Sequence, residues 1–177
     1  MNIITVKPEG SFCFRPDSTL NHKFADYYCP DAVASLQVIP VIYTRVTKAG
    51  KCVAERFAQR YFDSFAFGCL INDTTDGVST AMATSLDATS VLGMDFRPVD
   101  LLSQSSFALE VNGQTVFCMT GVPDVDQFAK AVAAVTARSM LRLGDIIALE
   151  LCDAKAIARG DELSLVCDNA SHSLKIL

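Results

Sequence analysis

Leu36-Gln37-Val38-Ile39-Pro40-Val41-Ile42-Tyr43-Thr44-Arg45-Val46 is the stretch on which the fold turns. It mixes β-branched and other apolar side chains, which predicts one long strand. Pro40, in its middle, has no backbone N–H to give to a neighbouring strand, so a sheet edge or a bulge is expected there. Thr47–Gly50 then turns the chain. In Val53–Phe65, Val53, Phe57 and Tyr61 recur at helical spacing beside Ala54, Ala58 and Phe62, with Glu55, Arg56, Gln59 and Arg60 opposite. That period predicts an amphipathic helix. Phe67–Ile71 predicts a buried strand running into the polar loop Asn72-Asp73-Thr74-Thr75-Asp76-Gly77.

Toward the N-terminus, Ile3–Val6 and Ser11–Phe14 are strand-like, with turns at Arg15-Pro16-Asp17-Ser18 and Tyr28-Cys29-Pro30-Asp31. Toward the C-terminus, Ser79–Ser90 has no clear period. Phe107–Val111 and Thr115–Met119 flank Asn112-Gly113, the pattern of a hairpin closed by a type I′ turn. Asp124, with Gln127 after it, is placed to cap a second helix. Val125, Phe128, Val132 and Val135 form its apolar stripe, to about Ser139. Asp145–Leu151, Glu162–Val166 and Leu174–Leu177 return to strand patterning, and Asp145 and Asp161 follow glycines in turns they are expected to cap. The sum is a single domain over residues 1–177 of the α+β class, mostly β, with two flanking helices.

Of the 177 residues, 50% are hydrophobic and 20% charged, enough apolar surface to offset the entropy of ordering. Lys and Arg number 15 against 20 Asp and Glu, a net charge of −5 with the cations scattered singly. That balance argues against a nucleic-acid partner. No apolar run nears the roughly 18 residues needed to cross a bilayer, so no membrane partner is expected. The 7 cysteines are odd in number and form no Cys-x-x-Cys pair, and the first residues carry no signal-like apolar core. Reduced thiols, acting as small hydrophobes in a cytoplasmic protein, are expected. The 2 histidines, His22 and His172, lie in polar segments and read as solvated loop residues. No G-x-S-x-G elbow supports a serine hydrolase triad.

The order of these signals resembles the fumarylacetoacetate hydrolase family in its short bacterial form. Ser11-Phe12-Cys13-Phe14-Arg15-Pro16-Asp17-Ser18 looks like the family's VFF-K-P-x-S strand, and Tyr28-Cys29-Pro30-Asp31 like its Y-P-D turn. Gly50-Lys51-Cys52-Val53-Ala54-Glu55-Arg56-Phe57-Ala58-Gln59-Arg60-Tyr61-Phe62-Asp63 is similar to its G-K-x-I-x-E-x-F-A-x-R-Y-Y-D segment. Leu86-Asp87 with Val91-Leu92-Gly93, the hairpin Leu109-Glu110-Val111-Asn112-Gly113, and the turns Gly144-Asp145 and Gly160-Asp161 complete the set. The resemblance implies a β-roll of mixed sheets, a homodimer, and a divalent cation (Mg²⁺, Mn²⁺ or Ca²⁺) held by an E-x-E pair and an Asp. The cation polarises a 2-oxo acid or 1,3-dicarbonyl substrate.

The chemical positions depart from the family's pattern. Counting from Gly50-Lys51, the E-x-E pair falls on Ile39 and Val41, and the preceding family histidine on Gln37. The third ligand falls on Leu70, or on Asp73 if the spacing is longer. The family's basic residue falls on Thr84, its hairpin glutamine on Phe117, and its T-G-T-P loop on Leu149-Glu150-Leu151-Cys152, which brings in Glu150 and, after it, Asp153. Hydrocarbon side chains cannot ligate a hard cation. The expectation is therefore a catalytically inactive relative without a metal, binding a small molecule or pairing as a homodimer or with an active paralogue. The alternative is a divergent metal-dependent hydrolase, decarboxylase or isomerase, with Mg²⁺, Mn²⁺ or Ca²⁺ and with Asp73 or Glu150 as its acid. A bland interaction domain with a closed cleft is the third reading.

Overall fold

A computed structural model describes residues 1–120 and 125–177. Its strands are β1 (Ile3–Val6), β2 (Phe12–Arg15), β3 (Leu20–Asn21), β4 (Leu36–Val46), β5 (Phe62–Asp73), β6 (Ser90–Leu92), β7 (Arg97–Pro98), β8 (Ser106–Val111), β9 (Gln114–Thr120), β10 (Ile146–Glu150), β11 (Lys155–Ile157), β12 (Glu162–Cys167) and β13 (Ala170–Lys175). The helices are α1 (Glu55–Ala58), α2 (Thr80–Ala83) and α3 (Val125–Thr136). The strands form a 9-stranded mixed sheet, ordered β2-β1-β10-β4-β5-β6-β3 with β11 beside β4 and β7 beside β5, and a 4-stranded sheet ordered β13-β12-β8-β9.

The large sheet curls until β2 meets the far side. The Arg15 guanidinium on β2 reaches across to Ser90 Oγ on β6 (2.9 Å) and Asn72 Oδ1 on β5 (2.6 Å). Strand alternation then sorts side chains between two faces. The convex face carries Ile4, Val6, Ile42, Phe65, Phe67 and Ile71 into the main core, against α3 and the small sheet. Phe67 on β5 stacks on Phe107 on β8, with ring centroids 5.0 Å apart, and so locks the two sheets together. The concave face holds a second apolar cluster of Ile3, Ile39, Val41, Tyr43, Ala66, Leu70, Leu92, Ile146 and Ala148, which fills the interior of the roll.

Several expectations from sequence are revised. Pro40 lies in an interior strand, between β5 on one side and β10 with β11 on the other. Its carbonyl accepts from Leu151 N (3.0 Å), so its polar groups face the β10–β11 side. There the partner chain leaves the ladder between Glu150 and Lys155, and the absent N–H has no acceptor to disappoint. The helix expected over Val53–Phe65 shrinks to α1 and a 3₁₀ turn, Gln59–Tyr61, because β5 already begins at Phe62. Apolar residues read there at helical period are used at strand period, and the strand expected over Phe67–Ile71 is longer at both ends. Three α-helices occur among the described residues rather than two, the third being α2 within Ser79–Ser90. The last strand is Ala170–Lys175, earlier than Leu174–Leu177. Asp124 lies outside the described residues.

The hairpin forms as read. Asn112 (φ 52°) and Gly113 (φ 76°) both take the left-handed conformation of a type I′ turn. Asp145, fully buried, accepts from Asn2 N and Arg142 N (both 2.9 Å), and Asp161 accepts from Ala158 N (2.7 Å), so both carboxylates cap their turns. All 7 cysteines are free thiols. Burial pushes Cys69 and Cys167 up to about 12, which keeps both protonated and unreactive. Among the described residues, no helix is long and apolar enough to cross a membrane.

Candidate functional site at the mouth of the roll

The two sequence positions aligned with the acidic pair lie inside the roll. Ile39 and Val41 project from β4 into the concave cluster, 4% and 0% exposed. Ile39 pairs with Leu70 on β5, and Val41 pairs with Gly68. Leu70 is fully buried in the same cluster, so Ile39, Val41 and Leu70 converge on one apolar volume. Asp73, the alternative third position, has the opposite parity on β5 and faces away from it. Its carboxylate accepts from Thr75 N (2.8 Å) at the strand end. In the β4–β5 ladder Asp73 pairs with Leu36, three positions from Ile39.

A divalent cation of the family's kind asks for several oxygen ligands. The volume between Ile39, Val41 and Leu70 offers methyl groups alone. It is closed further by the Tyr43 ring, which lies over Gly68 and donates from its hydroxyl to Cys69 O (3.0 Å). The side chains there do not fit a metal ion, and no step is derived through one.

Polar chemistry collects where the roll opens, beyond Ile39. A cavity of about 460 Å³ is lined by Lys7, Gln37, Ile39, Asn72, Glu150, Cys152 and Asp153. A second, of about 500 Å³, adjoins it through Lys7, Pro8 and Glu150 and is walled by Phe117, Met119 and α3 residues including Gln127 and Lys130. Glu150 therefore sits at the junction of the two cavities. Burial raises its carboxyl above the usual range, with Lys7 opposing and Glu9 adding to the shift. Among the described residues the Gln37 side chain makes no hydrogen bond. Asn72 accepts from Arg15 at its carbonyl oxygen, and among the described residues its amide N–H₂, which lines the cavity, makes no hydrogen bond.

Behind this mouth lies Arg15, 1% exposed. It donates to Ser90 Oγ (2.9 Å), Asn72 Oδ1 (2.6 Å), Thr89 Oγ1 (2.8 Å) and Ile71 O (3.1 Å), all neutral acceptors. Burial lowers its pKa, and among the described residues no carboxylate forms an ion pair with it. The guanidinium fork ties β2 to β5 and to the β6 edge, and so orients Asn72.

The remaining candidates scatter. Thr84 is buried at the end of α2, donating to Thr80 O (2.9 Å), and faces neither cavity. Phe117 and Glu150 meet in the larger cavity, though 33 residues apart in sequence. His22 and His172 lie elsewhere, together. Sequence reasoning missed Lys7 and Asn72 as lining groups. The parity of Asn72 with Leu70 on one strand was the available signal.

A strongly curled mixed sheet, sealed by a four-stranded sheet and a helix and opening at one mouth, is the fold of the fumarylacetoacetate hydrolase family. A family protein of that description from Yersinia pestis CO92 superposes with a TM-score of 0.79 at 14% identity, over 99% of this chain and 92% of that one. The 5-carboxymethyl-2-hydroxymuconate delta-isomerase of Mycobacterium smegmatis gives 0.81 at 16% identity, over 99% and 78%. Fumarylpyruvate hydrolase from Pseudomonas aeruginosa, in complex with Mn²⁺ and pyruvate, gives 0.80 at 15%, over 100% and 89%. No protein-family model and no curated protein matches the sequence.

Proposed function

We propose that this chain is a non-catalytic protein with the fumarylacetoacetate hydrolase fold that binds a small polar organic molecule at the mouth of the roll. One observation carries the reading. Ile39 and Val41, onto which counting from Gly50-Lys51 puts the acidic pair, pack with Leu70 in one apolar cluster, while the mouth beside it is a cavity lined by the Gln37 and Asn72 amides. Such convergence of a few polar groups on an apolar pocket is the usual make-up of a ligand site. The proposal includes self-association or pairing with an active paralogue, supported by the family resemblance alone and tested by sedimentation across a concentration series.

A second reading, a divergent hydrolase, decarboxylase or isomerase, is favoured by Glu150, whose raised pKa in a cleft suits general acid–base work. One experiment separates the two. Pyruvate and an acylpyruvate are titrated against the protein by calorimetry, with and without Mn²⁺, and acylpyruvate turnover is followed in parallel. Binding that is indifferent to Mn²⁺, with turnover no faster than buffer, is expected. Turnover that disappears in Glu150→Gln overturns the non-catalytic reading. Absence of binding overturns the ligand site and leaves an interaction domain.

A further inference from the structure

The chain has 2 histidines, 150 residues apart in sequence, and the fold brings both to one cavity of about 600 Å³. This cavity lies at the other end of the roll from the mouth. Arg45, which lines it, is eight residues beyond Gln37 on β4, roughly 26 Å at the usual strand rise. We propose that it is a binding site for a planar conjugated carboxylate, held by Arg45 and the two imidazoles.

The site is built rather than incidental. Asn21, 4% exposed, spends both ends of its side-chain amide on Ala25, donating to its carbonyl (2.8 Å) and accepting from its N–H (3.2 Å). That clamp closes the loop presenting His22 and Phe24. Phe24 is held at φ 52°, a conformation bulky side chains rarely adopt. Its ring lies flat on His172 of β13, with centroids 4.2 Å apart and planes 12° from parallel. The strained backbone is held by contacts at both ends, one to Asn21 and one to the second histidine.

Arg45 supplies the charge. Its guanidinium rests on the Phe96 ring, 4.6 Å from the centroid, and among the described residues it makes no hydrogen bond or ion pair. A planar fork of unengaged N–H donors, backed by an aromatic face, matches a carboxylate in the same plane. Asp95 also lines the cavity but does not pair with Arg45. The floor is the end of the roll, where Ile146 and Leu92 are buried and apolar, and it suits a flat ring system. The volume falls within the range of small-molecule sites, about 300–1,000 Å³. The imidazoles are not set as a metal pair, because among the described residues no three His, Cys, Asp or Glu side chains group closely enough to hold an ion.

The histidine count makes the test direct, since only two imidazole Hε1 signals appear in the proton spectrum. Naphthoate is titrated into the full chain, with neutral naphthalenemethanol as comparator. Both signals are expected to move along one saturating curve, and the alcohol and the Arg45→Gln variant are each expected to bind about tenfold more weakly or worse. Lys7→Gln, at the mouth, is expected to leave naphthoate affinity unchanged. If Arg45→Gln does not fold, His172→Gln provides the same comparison through the His22 signal and the affinity. The site is refuted by imidazole signals that stay still at saturating naphthoate, or by equal affinity for the alcohol. It is equally refuted by weakening in Lys7→Gln alone, or by signals that respond only to protein concentration, which would mark a contact between two copies.

Discussion

Ile39 lies directly opposite Leu70 across the β4–β5 ladder, and both side chains enter the apolar cluster inside the roll. The pairing matters because counting along the chain, independently of the fold, places the acidic pair on Ile39 and Val41 and the third position on Leu70 or Asp73. Two positions 31 apart in sequence become neighbours on one concave face, with Val41 beside them. The apolar replacements are mutually compatible: each methyl-bearing side chain packs on another, and no charge is left stranded among them.

Restoring the acids separately from a metal should therefore be costly. In Ile39→Glu/Val41→Glu/Leu70→Asp, each carboxylate is buried without a partner, at several kcal/mol apiece. The triple variant is expected to melt at least about 10 °C lower in a metal-free thermal scan, with partial recovery in millimolar Mn²⁺. A metal-free variant as stable as the parent would show that the volume is wetter than its packing implies.

Arg15→Met should be more damaging than its conservative appearance suggests. It removes the donor to Thr89 Oγ1, Asn72 Oδ1 and Ile71 O and one of the two partners of Ser90 Oγ, whose other is Thr19 Oγ1. A loss of about 3 kcal/mol or more is expected in urea denaturation, and about 2 kcal/mol for Arg15→Lys, whose ammonium lacks the planar fork. Equal stability of the lysine variant and the parent would remove the geometric argument.

Glu150→Gln tests the raised carboxyl. A folded-state pKa above the unfolded value means the folded protein prefers the neutral form. Stability from that preference is fully present below the unfolded pKa and is lost as pH rises through the folded one. The amide is neutral throughout, so the variant should match the parent at acid pH and exceed it at pH 7 in chemical denaturation. A variant less stable than the parent at pH 7 would mean that the ionised carboxylate is held favourably, most simply by Lys7.

Gly68→Ala probes the closeness of packing inside the roll. A Cβ there would meet Val91 O at 2.0 Å and the Tyr43 ring at 2.6 Å, so backbone must move, at about 3 kcal/mol. Gly113→Ala, at φ 76° in the open hairpin turn, meets nothing within 4 Å and should cost only about 1 kcal/mol from conformation. Comparable melting temperatures for the two variants would contradict the steric account.

What the amino-acid order determined by itself is local. Leu36–Val46 is a strand, and Asn112-Gly113 closes a type I′ hairpin, because alternation and positive-φ turn chemistry act over a few residues. The absence of oxygen donors at residues 39, 41 and 70 was likewise legible from side-chain identity. Tertiary structure alone decided the rest. Phe62–Phe65 left a helical pattern for a strand because pairing with β4 and burial in the core outweigh local propensity. Pro40 was accepted into an interior strand because two partner strands happen to part beside it. The burial of Leu70 with Ile39 while Asp73 faces away, the placing of Glu150 between two cavities, and the sharing of one cavity by His22 and His172 all depend on how a sheet curls. Curvature is set by long-range packing, such as Arg15 reaching across to β5 and β6, which no short window of sequence contains.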